Sequence, residues 1–305
     1  MAMTHQTSIS TRAWIELTLL ATIWGISFLA IRTALDEIGP FTSVMHRTFW
    51  AMLVLWGFVL IGRHPVPRSI RVWFAFVVMG LLNNAIPFSL MAWGQVHVPV
   101  GLTAIFNSAS AIFGVVVAAM VFADERLSPR KVLGVGLGFL GVCLAIGFDS
   151  LRQFDTTSLA QLAIITGTLS YACASAWARK MLHGISPVVA AAAMLTSATV
   201  FTIPVAIFAE GPPNFALSAI TWISISYYAV IATAIAYLLY YRILAMAGSG
   251  NLMLVTLMIP PVSIALGSIV RDESLHPGGY LGFALLALGL SIVDGRLWRR
   301  RKTTV

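Results

Sequence analysis

The 305-residue chain is 59% hydrophobic and 10% charged, with a mean hydropathy of +0.90. That is less than half of the roughly 25% charged content of a soluble domain, and it excludes an ordinary water-soluble globule. A net charge of +8 suits nucleic acid or a membrane surface, and the placement of the basic residues decides between them.

In chain order, ten apolar runs of about 20 residues, each long enough to cross about 30 Å of hydrocarbon, occupy 13–34, 41–62, 72–95, 98–122, 129–148, 158–180, 187–208, 218–243, 249–270 and 277–296. The first carries Glu16 and reads as an uncleaved span rather than a signal peptide. Helix-ending chemistry separates the runs: Gly39-Pro40, His64-Pro65, Pro99, Ser128-Pro129, Ser186-Pro187, Gly211-Pro212-Pro213, Gly248-Ser249-Gly250 and His276-Pro277. Ser128 before Pro129 has the form of an N-cap followed by proline at the first helical position. Pro87 and the Pro260-Pro261 pair remove backbone donors within runs and predict kinks there.

With the amino terminus inside, the cytoplasmic segments hold 15 Lys and Arg and the opposite loops 3, with Arg47 inside a run, out of 19. This asymmetry predicts a multi-pass protein of the inner (plasma) membrane with both termini cytoplasmic. It also argues against nucleic acid as a partner, because the charge is spread over membrane-edge loops and no nucleic-acid motif accompanies it. The lipid bilayer and a small-molecule substrate are the partners this composition implies, and no motif speaks to the oligomeric state.

The chain repeats itself. Asp124-Glu125-Arg126-Leu127-Ser128-Pro129 is answered by Asp272-Glu273-Ser274-Leu275-His276-Pro277 at a shift of 148, and the same shift carries Gly134, Gly141 and Gly147 onto Gly282, Gly289 and Gly295. A weaker echo places Trp24-Gly25 on Tyr171-Ala172 at a shift of 147. A period near half the chain reads as duplication of a multi-helix unit, 1–150 and 151–305. Five spans per unit is an odd number, so the second unit enters the membrane inverted. The predicted fold class is an all-α membrane protein of ten transmembrane helices in two inverted five-helix repeats, an architecture of secondary transporters that bind substrate near the midplane.

Ten spans, two five-helix halves, the Asp-Glu-x-Leu-x-Pro turns leading into Gly-rich fifth and tenth runs, Trp24-Gly25 and Arg47 resemble the EamA-type transporters of the drug/metabolite transporter superfamily. Length and aromatic content are most similar to its YddG-type amino acid exporters. The second half departs from that pattern, with Tyr171-Ala172 in place of Trp-Gly and no arginine answering Arg47. The resemblance implies export of amino acids or related small metabolites by alternating access, with no cofactor. Drugs, nucleosides or other metabolites are the alternative cargo. A membrane-embedded enzyme is the alternative class, disfavoured because no His, Cys or carboxylate cluster has metal or nucleophile spacing within the spans. A passive channel is opposed by the two-fold design and the lack of charged rings.

The candidate substrate-binding residues are polar or aromatic groups within spans: Trp24, Arg47, Asn83, Asn84, Asn107, Ser110, Tyr171 and Thr256. Amides and hydroxyls in a bilayer need partners, which an internal site or a neighbouring helix supplies. Arg47 either holds carbonyls, pairs with Asp36 or Glu37, or meets a substrate carboxylate; His46, on another side of the helix, reads as a satisfied polar residue. Trp24 and Tyr171 correspond under the repeat and read as pocket wall or packing, whereas Trp93, Trp177, Tyr240 and Tyr241 read as an interfacial belt. The Asp-Glu turns read as helix punctuation with local pairing to Arg126 or Arg271, or as a gate. Gly134, Gly138 and Gly141 with Gly278, Gly282 and Gly289 form small-residue faces for close helix approach. Cys143 and Cys173 lie in apolar runs without a partner at ligand spacing and read as packing, with a disulfide or metal site the alternative. Apart from Glu16, every carboxylate falls at a span end or in a loop, which predicts transport without carboxylate-mediated proton coupling.

Overall fold

The computed structural model describes residues 10–123, 128–146, 156–182, 184–252 and 255–294, and among them every regular element is helical. In order, α1 is Thr11–Ala34, α2 Pro40–Ile61 and α3 Ile70–Gln95, the last with a π-helical stretch at Leu81–Ala85. Next, α4 is Val100–Val121 with a turn at Ala109, α5 Pro129–Ile146, α6 Thr156–Met181 and α7 Pro187–Glu210. The helix α8 joins Ala219–Ser226, a π-helical Tyr227–Ile235 and Ala236–Leu252; α9 is Val255–Arg271 and α10 Pro277–Asp294. Seven helices are long and apolar enough to cross a membrane: α1, α2, α3, α4, α6, α7 and Ala219–Ala247 of α8. Val255–Arg271 and Pro277–Val293 are shorter apolar helices.

The helix starts follow local chemistry. Ser10 caps α1 through its hydroxyl, which accepts the Ala13 N–H at 3.2 Å, and Ser128 accepts that of Lys131 at 3.3 Å, as its place before Pro129 predicts. Proline opens α2 and α7 at positions where an N–H has no helical partner. The kink expected at Pro87 takes the form of the π-helical stretch just before it, whose wider turn accommodates the lost donor. Pro260 and Pro261 lie within the helical span of α9.

One predicted break is overturned. Gly248-Ser249-Gly250 lies inside the helical segment Ala236–Leu252. Glycine costs a helix only about 1 kcal/mol per residue, which the surrounding apolar turns of α8 offset. The Asp124–Leu127 turn, Gly147 and Gly295 lie outside the described residues.

Packing obeys a simple rule. The helix α1 packs on α9 and α8, as α6 packs on α4 and α3; α2 packs on α8, as α7 packs on α3; and α2–α7, α4–α9 and α5–α10 are pairs that map onto themselves when each label advances by five. Both π-helical stretches obey it too, in α3 and in α8. The α5–α10 crossing is glycine on glycine: a Cβ at Gly134 would stand 2.6 Å from the Gly289 carbonyl and one at Gly282 2.5 Å from that of Gly141. The small-residue face read from the sequence is thus the contact itself, and the missing side chains let the two backbones touch.

Candidate functional site

Arg47 lies on α2 where that helix meets the π-helical stretch of α8. Its Nε donates to the Thr233 hydroxyl at 2.9 Å, and its guanidinium carbon stands 3.7 Å from the centre of the Phe88 ring. The hydroxyl of Thr233 in turn donates to the Tyr228 carbonyl, five residues back, at 2.7 Å. The π-helical turn therefore presents this threonine to the arginine. Among the described residues neither terminal nitrogen of Arg47 has a hydrogen-bond partner, and no carboxylate is within ion-pair range. The sequence-level pairing with Asp36 or Glu37 is not made: Asp36 is held by Arg32 at 2.6 Å and Arg271 at 2.7 Å, and Glu37 by Ser218 and Thr221.

Around this cation the structure gathers part of the predicted set. Asn83 and Asn84 leave the π-helical stretch of α3 and both direct their amide nitrogens at the Tyr237 hydroxyl, at 3.1 and 2.9 Å. Tyr171 on α6 packs against the cluster of Val44, Phe88 and Ala92, and its hydroxyl faces the Met91 sulfur at 3.8 Å. The Tyr228 hydroxyl meets that of Ser43 at 3.1 Å, one turn before Arg47 on α2. Trp24 reaches the group from α1: its indole N–H donates to the Ala232 carbonyl at 3.0 Å, and its ring lies 6.1 Å from that of Tyr240. Arg47, Asn83, Tyr171, Tyr237 and Trp24 keep part of their surface accessible, whereas Asn84 is fully buried with its Oδ1 unpartnered.

Other predicted residues fall elsewhere. Asn107 and Ser110 flank the turn in α4 and make no hydrogen bond to this cluster. Thr256 is joined to that turn through its carbonyl, which accepts the Ser108 hydroxyl at 2.8 Å. The hydrogen bond between α4 and α9 is thus made by Ser108, which was not among the predicted residues. Tyr237, Thr233 and Phe88 are the members that sequence reading missed. Tyr240 and Tyr241 are not an interfacial belt: they pack on interior clusters, because α8 continues well past the point where the glycines were expected to end it. His46 is not satisfied: its Nδ1 accepts the Trp50 indole N–H at 3.2 Å, but its buried Nε2 has no partner among the described residues.

At the end of the bundle formed by segments 35–39, 96–99, 211–218 and 272–276, carboxylates cross between the halves. Glu210 accepts the Phe41 and Thr42 N–H groups at 2.9 and 2.8 Å, Glu273 that of Val100 at 2.8 Å, and Glu37 that of Ser218 at 2.9 Å. Each sits on orphan donors at the start of another helix, where negative charge is favoured. Arg271 binds Asp36 instead of its own Asp-Glu turn. At the opposite end Glu16 on α1 is held by Arg12 and by Arg242 of α8.

The EamA-like transporter family matches the chain twice, over residues 12–147 and 158–293. The chain belongs to that family. A probable amino-acid metabolite efflux pump of Escherichia coli is 26% identical over 293 residues, covering 92% of this chain and 95% of the relative. A probable terminal-alkyne amino-acid exporter of Streptantibioticus cattleyicolor is 23% identical over 305 residues, covering 96% and 97%. A crystal structure at 17% identity superposes with a TM-score of 0.66 over 95% of this chain and 99% of its own, which shows the shared fold. The EamA assignment makes the protein a multi-pass membrane transporter, and the long apolar helices are its spans.

Two cavities of this EamA protein do not have Arg47 in their walls. A groove of about 450 Å³ is lined by Trp50, Leu53, Val54, Trp222, Ile225, Ser226 and Val230, and a smaller one of about 190 Å³ is walled in part by Glu37, Thr42 and Glu210. Neither includes a residue chosen from the sequence.

The carboxylate-tied end carries a pH prediction. Hydrogen bonding to Arg271, then its charge and that of Arg32, holds Asp36 below the ordinary carboxylate range; the Ser218 and Thr221 hydroxyls do the same for Glu37. A carboxyl whose folded pKa is depressed contributes stability above its unfolded pKa and loses it as pH falls through the folded one. The melting temperature in detergent is therefore expected to be insensitive to these ties from pH 7 to 5 and to fall below about 4. Glu37→Gln should flatten part of that fall, and an identical acid limb in the variant would contradict the assignment.

Proposed function

We propose that the protein is a secondary transporter exporting amino acids or related small metabolites across the inner membrane by alternating access of two inverted five-helix repeats, approximately 1–150 and 151–305. In this reading there are ten spans with both termini in the cytoplasm. The single observation that carries it is Arg47, a cation without a counterion among the described residues, set where α2 meets α8 with Phe88 of α3 against its guanidinium and its terminal nitrogens unused. A central arginine costs about 2.5–3.5 kcal/mol on insertion scales, and a substrate carboxylate offsets that cost whenever the site is filled. The pairing rule among the helices supports an inverted repeat, and such proteins bind between their halves. The names of the relatives, efflux pump and exporter of amino-acid compounds, agree with a carboxylate-bearing cargo.

Trp24, Tyr171, Phe88 and Tyr237 supply apolar and aromatic surface beside the cation. Apolar walls discriminate a methylene by only about 1–3 kcal/mol, so selectivity among side chains should be broad. Glu16, a carboxylate inside α1, is engaged by Arg12 and Arg242 and is not a free proton carrier, which supports facilitated transport or exchange.

Uptake by proteoliposomes across a panel of amino acids, nucleosides and cationic drugs tests the reading. Amino acids should be taken up and should compete with one another. Transport of cationic drugs with no transport of any amino acid would overturn it.

A further inference from the structure

We propose that Tyr237 contacts substrate as the second donor to its carboxylate, and that Asn83 and Asn84 are positioning residues that act through it. This rests on the carrier reading above. It reassigns the two asparagines, which sequence reading placed against the substrate themselves.

A phenol has one proton and two lone pairs. Both asparagines turn their Nδ2 to the same Tyr237 oxygen, at 3.1 and 2.9 Å, so its lone pairs are occupied by protein donors. It cannot accept from a substrate. With both amides turned nitrogen-first its one proton remains, and among the described residues no acceptor takes it. Asn84 is fully buried and cannot reach a solute, whereas Tyr237 keeps accessible surface. The asparagines sit on α3 and the tyrosine on α8, so two helices jointly fix the direction of one O–H.

That O–H belongs to the same group as Arg47. Arg47 binds Thr233, and Tyr237 follows Thr233 by four residues, about one turn along α8; among the described residues the arginine contributes two terminal nitrogens without partners. Donors without acceptors make an anion site. Among the described residues no second cation shares the contacts of Arg47, which are the Thr233 hydroxyl and the Phe88 ring. A singly charged carboxylate matches that balance; a phosphate dianion would bury excess negative charge. A neutral carboxamide presents one acceptor and an NH₂ that faces donors, so the site should reject it.

The experiment is counterflow of labelled leucine in proteoliposomes, competed by leucine or leucinamide. The wild type should prefer the acid by at least about 10-fold, the order expected for hydrogen bonds to a charged group. In Tyr237→Phe the KM for leucine should rise about 10-fold with the maximal rate and membrane abundance kept, and the preference over leucinamide should largely vanish. Asn83→Ala should produce a smaller change of the same kind and add nothing in the Tyr237→Phe background. Monofluorinated tyrosine at position 237, which strengthens the donor without moving it, should lower KM and keeps the test valid should the phenylalanine variant fold poorly. Tyr237→Phe with an unchanged acid-to-amide ratio, an unchanged KM in the fluorinated protein, or an Asn83→Ala effect that adds fully to Tyr237→Phe would each overturn the assignment. A wild type that transports leucine but does not distinguish it from leucinamide overturns the carboxylate site. A wild type with no leucine counterflow removes the carrier reading beneath it.

Discussion

Arg47→Met is expected to lower transport of carboxylate-bearing substrates by about 100-fold in kcat/KM, while the protein reaches the membrane at normal or raised abundance. Two charge-assisted hydrogen bonds, at about 1.5 kcal/mol or more each, correspond to that factor. Removing a charge from a protein interior ordinarily destabilises it because a partner is left unpaired. Among the described residues no carboxylate partners Arg47, and the group that loses its donor is the Thr233 hydroxyl, which stays bonded to the Tyr228 carbonyl. Methionine keeps contact with Phe88 through its own affinity for aromatic rings. Activity and abundance should therefore separate. Arg47→Lys should fall between, since it retains charge but loses the planar fork and the Nε bond to Thr233. Transport assays with quantitative membrane blotting provide the check, and an Arg47→Met protein with normal kinetics would dismiss the anion site.

The second large effect lies in the scaffold. Gly134→Leu should remove most of the folded protein, whereas Gly136→Leu, two residues away, should leave abundance unchanged. A Cβ at Gly134 meets the Gly289 carbonyl at 2.6 Å and the Val293 backbone at 3.0 Å, but one at Gly136 meets nothing within 4 Å. Inserting a side chain where two backbones touch forces α5 from α10, and overpacking of this kind costs about 1–3 kcal/mol even where flexible side chains yield. Backbone does not yield so readily. The same contrast separates Gly141 from Gly114 on α4. Fluorescence-detected size exclusion of tagged variants reads it directly.

These two predictions differ in how far the sequence alone could have made them. The glycine contact was readable because Gly134, Gly141, Gly282 and Gly289 recur at a fixed shift, and a recurring smooth face has few other uses. Helix limits near Pro40, Pro99, Pro129, Pro187 and Pro277 were readable for the local reason that proline fixes its own backbone. Arg47 stood out as a charge within an apolar run, yet its partner Thr233 lies 186 residues away and carries no local mark. Tyr237 was obscured by composition: α8 contains three tyrosines between 237 and 241, a pattern equally suited to a membrane-interface belt. The Gly248-Ser249-Gly250 stretch then placed the span end too early and pushed those tyrosines toward the interface. The π-helical turn of α8 has no proline to announce it, unlike that of α3. Glu273 looked like helix punctuation and Glu210 carried no mark, because their acceptor role depends on the starts of helices from the other half.

The central claim is that the Arg47 group lies between two halves that open it to each face in turn. Tyr171→Cys, in a protein whose Cys143 and Cys173 have been replaced, tests that claim most directly. Tyr171 packs against Phe88, whose ring carries the Arg47 guanidinium, and keeps accessible surface; among the described residues its hydroxyl makes only a long contact to the Met91 sulfur. Membrane-impermeant thiol reagents are applied from one face and then the other, in right-side-out and inverted vesicles, with and without transported amino acid. The account predicts labelling from both faces, with substrate slowing both reactions. Labelling from one face alone, or from neither, would contradict it.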